Sequence, residues 1–167
     1  MTYIFILNAP IVMKIIWIRN NHYEEILAAV KEFLPYETGG ILLGYTDIRG
    51  NLIVTEVVGA GPDAVHQKDY FLPDGSFQQN EINRAFESSE GETTYLGDWH
   101  SHPFKKPYLS SIDLDTLKKI ARHKTSGTKE PVFLIIGTVP LEAKCWQISL
   151  ISQKPVNLAI QQWSGNF

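Results

Sequence analysis

Residues 97–113 read GDWHSHPFKKPYLSSID and hold two imidazoles, a hydroxyl and a carboxylate at fixed offsets. His100 and His102 are separated by one residue. On an extended strand alternate side chains share a face, so both imidazoles project together and Trp99 and Ser101 point the other way. Pro103 ends the strand, leaving the pair at its C-terminal end, a common place for sites in open sheets. Seven residues lie between His102 and Ser110, and Asp113 follows Ser110 at i+3. Ser110 has the character of a helix N-cap, which puts Asp113 in the first turn, on the same helix face. The helix start then offers its carboxylate to the cavity holding the histidines.

Two histidines and one carboxylate make a three-ligand set, the pattern of a catalytic zinc site with one tetrahedral position left for water. Zinc lowers the pKa of such a water towards about 7 and polarises a carbonyl, but a base must still take the water's proton. Glu37 is the best candidate, because it stands at the mouth of the strand opened by Gly39-Gly40 and packing does not require its burial. Each part has a plainer reading: HxH pairs are frequent, Ser with an acid at i+3 is commonly a capping box, and a glycine pair often marks a turn. The four residues at four fixed offsets are much rarer together.

The elements that position these residues are legible from periodicity and punctuation. A short strand over 15–18 leads to a helix over 22–33, capped by Asn20 or Asn21, with Ile26, Leu27, Val30 and Phe33 on its apolar face. Strands follow over 41–45 and 52–58, joined by a turn at 47–51, then a loop over 59–63 and a short strand over 70–72. A helix over 77–88, the ligand-bearing strand over 93–102 and a helix over 110–123 come next. Strands over 132–139 and 143–151 complete the predicted set, and the tail from 155 to 167 gives only weak signals. This order predicts an α/β (α+β) chain with a mixed, mainly antiparallel sheet flanked by helices. No linker divides it, so we expect one domain over 1–167, with 1–12 as a possible extension.

Composition agrees with an intracellular enzyme. Of 167 residues, 44% are hydrophobic and the formal net charge is -3, which argues against disorder and against a basic nucleic-acid-binding face. A single cysteine excludes an intramolecular disulfide and any multi-cysteine metal centre. The segment 2–13 has no positive charge ahead of its apolar run, and Asn8, Pro10 and Lys14 break it before a membrane-spanning length. The expectation is a cytoplasmic protein without membrane or nucleic-acid partners, in which 2–13 forms an extra strand or Met13 is the true start.

Glu37 with His100-Ser101-His102, Ser110 and Asp113 resembles the JAMM/MPN+ signature E…HxH-x7-SxxD, with every position filled. The flanking words ETGGILLGY and YLGDWHSHP are most similar to the bacterial JAB-type branch. By motif the resemblance runs from about Tyr36 to Asp113, and by strand order over Met13 to Ile151. It implies a cytidine-deaminase-like MPN/JAB1 fold and a zinc metalloprotease that cleaves isopeptide or peptide bonds after ubiquitin-like modifiers. On the matching positions His100, His102 and Asp113 would hold about one zinc per chain, Glu37 would activate the water, and Ser110 would donate to the oxyanion. Some small members of that branch belong to CBASS-type anti-phage operons and integrative elements. Their companions are a ubiquitin-activating-like/conjugating-like enzyme and a nucleotide cyclase, and they cleave the bond that conjugates the cyclase C-terminus to a target. Other relatives process sulfur-carrier proteins.

The remaining candidates are weaker. His66 and Lys68 could line a substrate groove but read first as an ordinary solvated loop. Asp98 shares the His100 face and is open between a site acid and a structural one. Cys145 reads as core, His22 and His123 as surface residues. Phe104-Lys105-Lys106-Pro107-Tyr108 reads as an exposed loop whose lysines could meet an acidic modifier. A metal-free scaffold of the same fold remains the main alternative, although scaffold members have lost ligands that this chain keeps. A zinc deaminase would need a PCxxC run, which is absent.

Overall fold

In the computed structural model, which describes residues 13–149 and 151–165, the two candidate histidine ligands lie on a central strand of a seven-stranded sheet and Asp113 on the helix that follows it. The elements are β1 (Ile15–Arg19), α1 (Asn20–Phe33), β2 (Gly39–Thr46), β3 (Leu52–Val58), β4 (Val65–Gln67), β5 (Tyr70–Leu72), α2 (Gly75–Ser88), β6 (Thr94–His102), α3 (Ser111–Arg122), β7 (Val132–Thr138), β8 (Leu141–Ile148) and β9 (Pro155–Trp163). The sheet order is β1-β3-β2-β6-β7-β8-β9, and β4 and β5 form a separate two-stranded hairpin. Pairing is mixed: β2 is antiparallel to β3 and β6, β7 to β6 is parallel, and β8 is antiparallel to β7 and β9. The fold is the expected α+β arrangement. Unexpectedly, the sheet closes on itself, because β1 pairs in parallel with both β3 and β9.

Period-2 alternation assigns the two faces. Leu134 and Ile136 of β7 and Trp99 of β6 join Ile26 and Val30 of α1 in the main core. Phe133 and Ile135 face the opposite way, against Leu117 and Ala121 of α3. Beside them Ala85, Ile82 and Phe77 of α2 cover Ile41 and Leu43 of β2. Burying these apolar side chains stabilises each contact by about 1.5–3 kcal/mol per large residue, and it leaves His100 and His102 on the face shared by α2 and α3. Cys145, on β8, is core as expected, 1% exposed, and burial pushes its thiol pKa up.

Several expected boundaries move. The helix α1 starts at Asn20, with Arg19 as a cap that makes no side-chain bond, so neither asparagine caps it. Gly39 and Gly40 are not a turn: they are the first two residues of β2. A side chain at Gly40 would put Cβ 1.9 Å from Val58 O and 2.6 Å from Trp99 Nε1, so the close approach of β3 and Trp99 requires glycine. The tail carries β9, whose half-exposed strand lacks a clean alternation, and the loop around His66 contains β4. The first dozen residues, where an extra strand is expected, lie outside the described residues. No helix among the described residues is long and apolar enough to cross a membrane.

Candidate metal and catalytic site

The strand β6 delivers the two imidazoles and α3 delivers the carboxylate. His100 is opposite Gly39 of β2 and Ile135 of β7, and His102 is opposite Gly137. Behind them Ser101 is fully buried and exchanges two bonds with the strand-entry residue Thr38: Ser101 N–H donates to Thr38 O at 2.8 Å, and Thr38 N–H donates to Ser101 Oγ at 3.0 Å. The α3 start is a full capping box. Asp113 N–H donates to Ser110 Oγ at 3.1 Å, and Ser110 N–H donates to Asp113 Oδ2 at 2.9 Å. The Ser110 hydroxyl also donates to Oδ2, at 2.6 Å.

His100, His102 and Asp113 meet as the offsets predict. The Nε2 atoms of His100 and His102 are 3.2 Å apart, Asp113 Oδ1 is 3.3 Å from His100 Nε2, and Asp113 Oδ2 is 3.6 Å from His102 Nε2. A tetrahedral ion with bonds of about 2.0–2.1 Å needs ligand atoms roughly 3.3–3.4 Å apart. The two shorter contacts, 3.2 and 3.3 Å, match that spacing, the third runs to the other carboxylate oxygen, and among the described residues these three side chains offer one ligand atom each within 4.8 Å of one another. Burial, reinforced by the charge of His100, pulls His102 down to about 4, so at neutral pH its ring is neutral and keeps a lone pair for a metal. Burial opposes ionisation of Asp113, but the hydrogen bond and charge of His100 together with the Ser110 bonds outweigh it and hold the carboxyl below its ordinary range. His102 Nδ1 is buried and meets no partner at hydrogen-bonding geometry, although the Lys106 backbone lies close enough to favour the protonated ring. Phe133 meets His100 edge-on, with ring centroids 5.4 Å apart, and Tyr108 covers His102 at 5.0 Å.

Glu37 lies within electrostatic reach of His100 and Asp113. Half-burial raises its carboxyl above the ordinary range; His100 and Lys105 pull it down, and Asp113 and Asp69 push it up. A carboxylate whose proton affinity is raised beside such a cluster is better suited to accept a proton than an ordinary exposed one.

The other candidates resolve differently. Asp98 accepts from the Tyr95 hydroxyl at 2.6 Å, and burial raises it to about 6. It lies on the His100 face but has Tyr95 as its bonded partner. His66 is not a solvated loop residue: it is half-buried on β4, and its Nδ1 lies 3.0 Å from Glu37 O. The signal was present in the alternation Val65-His66-Gln67 and Tyr70-Phe71-Leu72 around the two-residue tip Lys68-Asp69, which is a hairpin pattern. Lys68 is exposed. His22, expected at the surface, is half-buried, with Nε2 2.9 Å from Thr55 O, while His123 is exposed. In the loop after β6, Phe104 and Tyr108 are exposed as expected, Pro107 is buried, and Lys105 pairs with Asp69 at 2.6 Å.

Comparison with known proteins adds to this geometry. Residues 19–149 match the family model described as prokaryotic homologs of the JAB domain. A protein named probable metalloprotease y4qB, from Sinorhizobium fredii, is 31% identical over 124 residues, 74% of this chain and 76% of the relative. Proteins named CD-NTase/cGAS isopeptidase are 32% identical over 108 residues in Escherichia coli and 31% over 105 in Vibrio cholerae. Those matches cover 64% and 62% of this chain and just under two thirds of the relatives, 65% and 64%. The solution structure of protein DSY2949 from Desulfitobacterium hafniense superposes with a TM-score of 0.67 at 21% identity, covering 90% of this chain and 94% of that one, which supports the fold.

Proposed function

This chain belongs to the family of prokaryotic JAB-domain homologs and is a JAMM-type hydrolase, and on that premise we propose that it is a zinc-dependent isopeptidase. Its substrate in this reading is a protein joined through its C-terminus to a target, either a ubiquitin-like modifier or a conjugated nucleotide cyclase. The observation that carries the reading is the triangle of ligand atoms at 3.2, 3.3 and 3.6 Å with the half-buried Glu37 beside it. The isopeptidase names of the Escherichia coli and Vibrio cholerae relatives support the choice of bond. Two imidazoles and one carboxylate, without a thiolate, favour zinc in a catalytic rather than a structural site.

His100, His102 and Asp113 would hold the ion. When bound, zinc would supply Lewis acidity, easing deprotonation of a water and polarising the scissile carbonyl. Glu37 takes the proton of the attacking water on its carboxylate and passes it to the departing amine, a role for which its raised proton affinity suits it. Ser110 presents its hydroxyl to the developing oxyanion. In the structure the Ser110 hydroxyl donates to Asp113 Oδ2, so its O–H must turn towards the substrate as the reaction proceeds. In this reading the 167-residue chain works as one MPN+/JAB domain in the cytoplasm. It reverses conjugation by a ubiquitin-activating-like/conjugating-like enzyme in an anti-phage, CBASS-type pathway.

Three substrates test this: a cyclase conjugated through its C-terminus, a ubiquitin-fold protein with a C-terminal extension, and a short peptide spanning the same bond. Zinc-loaded protein is expected to cleave a conjugated protein and to leave the peptide largely intact, because remote contacts hold the bond in place. Efficient hydrolysis of unrelated unfolded proteins would point to a general protease instead.

A further inference from the structure

Glu37 precedes β2 and is not itself part of a strand of the main sheet. Both of its backbone polar groups are bonded to β4: Glu37 N–H donates to Gln67 O at 2.7 Å, and His66 Nδ1 lies 3.0 Å from Glu37 O. A carbonyl oxygen only accepts, so Nδ1 carries the hydrogen in this contact. The His66 ring is itself fixed. It stacks on Phe33 with centroids 3.9 Å apart and planes 20° apart, and it meets Phe71 at 5.4 Å. Phe33 ends α1 and Phe71 lies on β5, so one imidazole joins a helix end, both hairpin strands and the Glu37 backbone. One residue further on, Thr38 is bonded in both directions to the buried Ser101 of β6. The Glu37 backbone is thus strung between a buried anchor beside the two histidines and a second anchor on a small hairpin.

We infer that His66 is a positioning residue for Glu37: its Nδ1–H fixes the Glu37 carbonyl, and with it the direction in which the carboxylate reaches the His100–His102–Asp113 cluster. The inference rests on the reading of Glu37 as the base. It makes the placement of the base depend on the docking of β4–β5, whose tip has a further tie in the exposed Lys105–Asp69 pair. His66 touches neither the ligand triangle nor the scissile bond in this arrangement, so its loss should affect turnover rather than metal content or substrate affinity. Misplacement of a reacting group by about 1 Å can cost up to ~100-fold in rate.

The test uses the full chain with two substitutions. His66→Phe keeps a ring to stack on Phe33 but has no donor. His66→Asn restores a donor near the Nδ1 position without the stack. Backbone amide exchange at Glu37 and Thr38 is measured by NMR on metal-free protein, zinc content by metal analysis, and kcat and KM with a ubiquitin-fold protein bearing a C-terminal fluorogenic amide. Nitrogen spectra of the wild type should show His66 protonated on Nδ1. His66→Phe should speed exchange at Glu37 by about tenfold or more and lower kcat by about 10–100-fold, with zinc content unchanged and KM nearly so. His66→Asn should recover part of both losses. Unchanged exchange and kcat in His66→Phe would overturn the inference, as would a raised KM at wild-type kcat, which would make His66 a substrate contact. If His66→Phe does not fold, the wild-type spectrum decides, since an Nε2-protonated ring cannot donate to Glu37. Glu37→Gln is assayed alongside. Wild-type turnover there would remove the base reading, while amide exchange would still decide whether His66 holds that backbone.

Discussion

At the scale of single residues, the site depends on which atom bears which proton. Asp113 is kept ionised by His100 and Ser110, and His102 is kept neutral by burial, so both are ready to bind a cation without first losing a proton. Glu37 is shifted the other way, upward, by half-burial. Glu37→Gln should therefore retain zinc at nearly the wild-type level and still bind substrate, while turnover falls by about 10²–10⁴-fold. Metal analysis and single-turnover assays on the same preparation check this. Equal loss of zinc and activity would make Glu37 a ligand, and unchanged turnover would assign the base to another acid. The candidate ligands were legible because part of their spacing is local: period 2 on β6 sets His100 beside His102, and one helical turn sets Asp113 against Ser110, while packing of α3 on β7 brings the two parts together. Glu37 was legible only as a candidate, because its distance from His100 is set by pairing between β2 and β6. His66 was missed as a functional residue because its partner lies across the hairpin.

At the scale of elements, the site is built on β6 between β2 and β7, and β2 packs tightly against β3 and β6. The glycines of β2 are part of that packing. Gly40 leaves room for Val58 O and for the Trp99 indole, whose Nε1–H donates to Val58 O at 3.1 Å. Overpacking of this kind costs about 1–3 kcal/mol, and here the nearest neighbour, Val58 O, is backbone, which cannot rotate away. Gly40→Ala should therefore lower the melting temperature by roughly 2–4 °C per kcal/mol lost. Gly59→Ala is the control, since a Cβ there meets nothing within 4 Å, and its melting temperature should hold or rise slightly. Equal melting temperatures for the two variants would contradict the close-packed β2–β3–β6 geometry. Helices with a clear apolar stripe and strands of continuous apolar residues were readable from periodicity. The hairpin strand β4 was not, because three residues hold too little pattern, and β9 was not, because only Leu158 of its nine residues is fully buried.

At the scale of the whole molecule, closure of the sheet by β1 and β9 places the ligand-bearing strand far from any open edge, between β2 and β7. The closure was not legible, since parallel pairing of the first and last strands is a long-range contact with no local signature. His100 and His102 lie on the sheet face that α3 covers, where the helix start brings Asp113 to them. The central claim is that this frame makes His100, His102 and Asp113 a metal centre. Its most direct test is zinc titration of chelator-stripped protein by calorimetry, with metal analysis of the wild type and of His102→Ala, both checked for folding by circular dichroism. The wild-type chain should take up about one zinc, and a folded His102→Ala chain little or none. A wild-type chain that binds no zinc, or a folded His102→Ala chain that binds it as tightly, would contradict it.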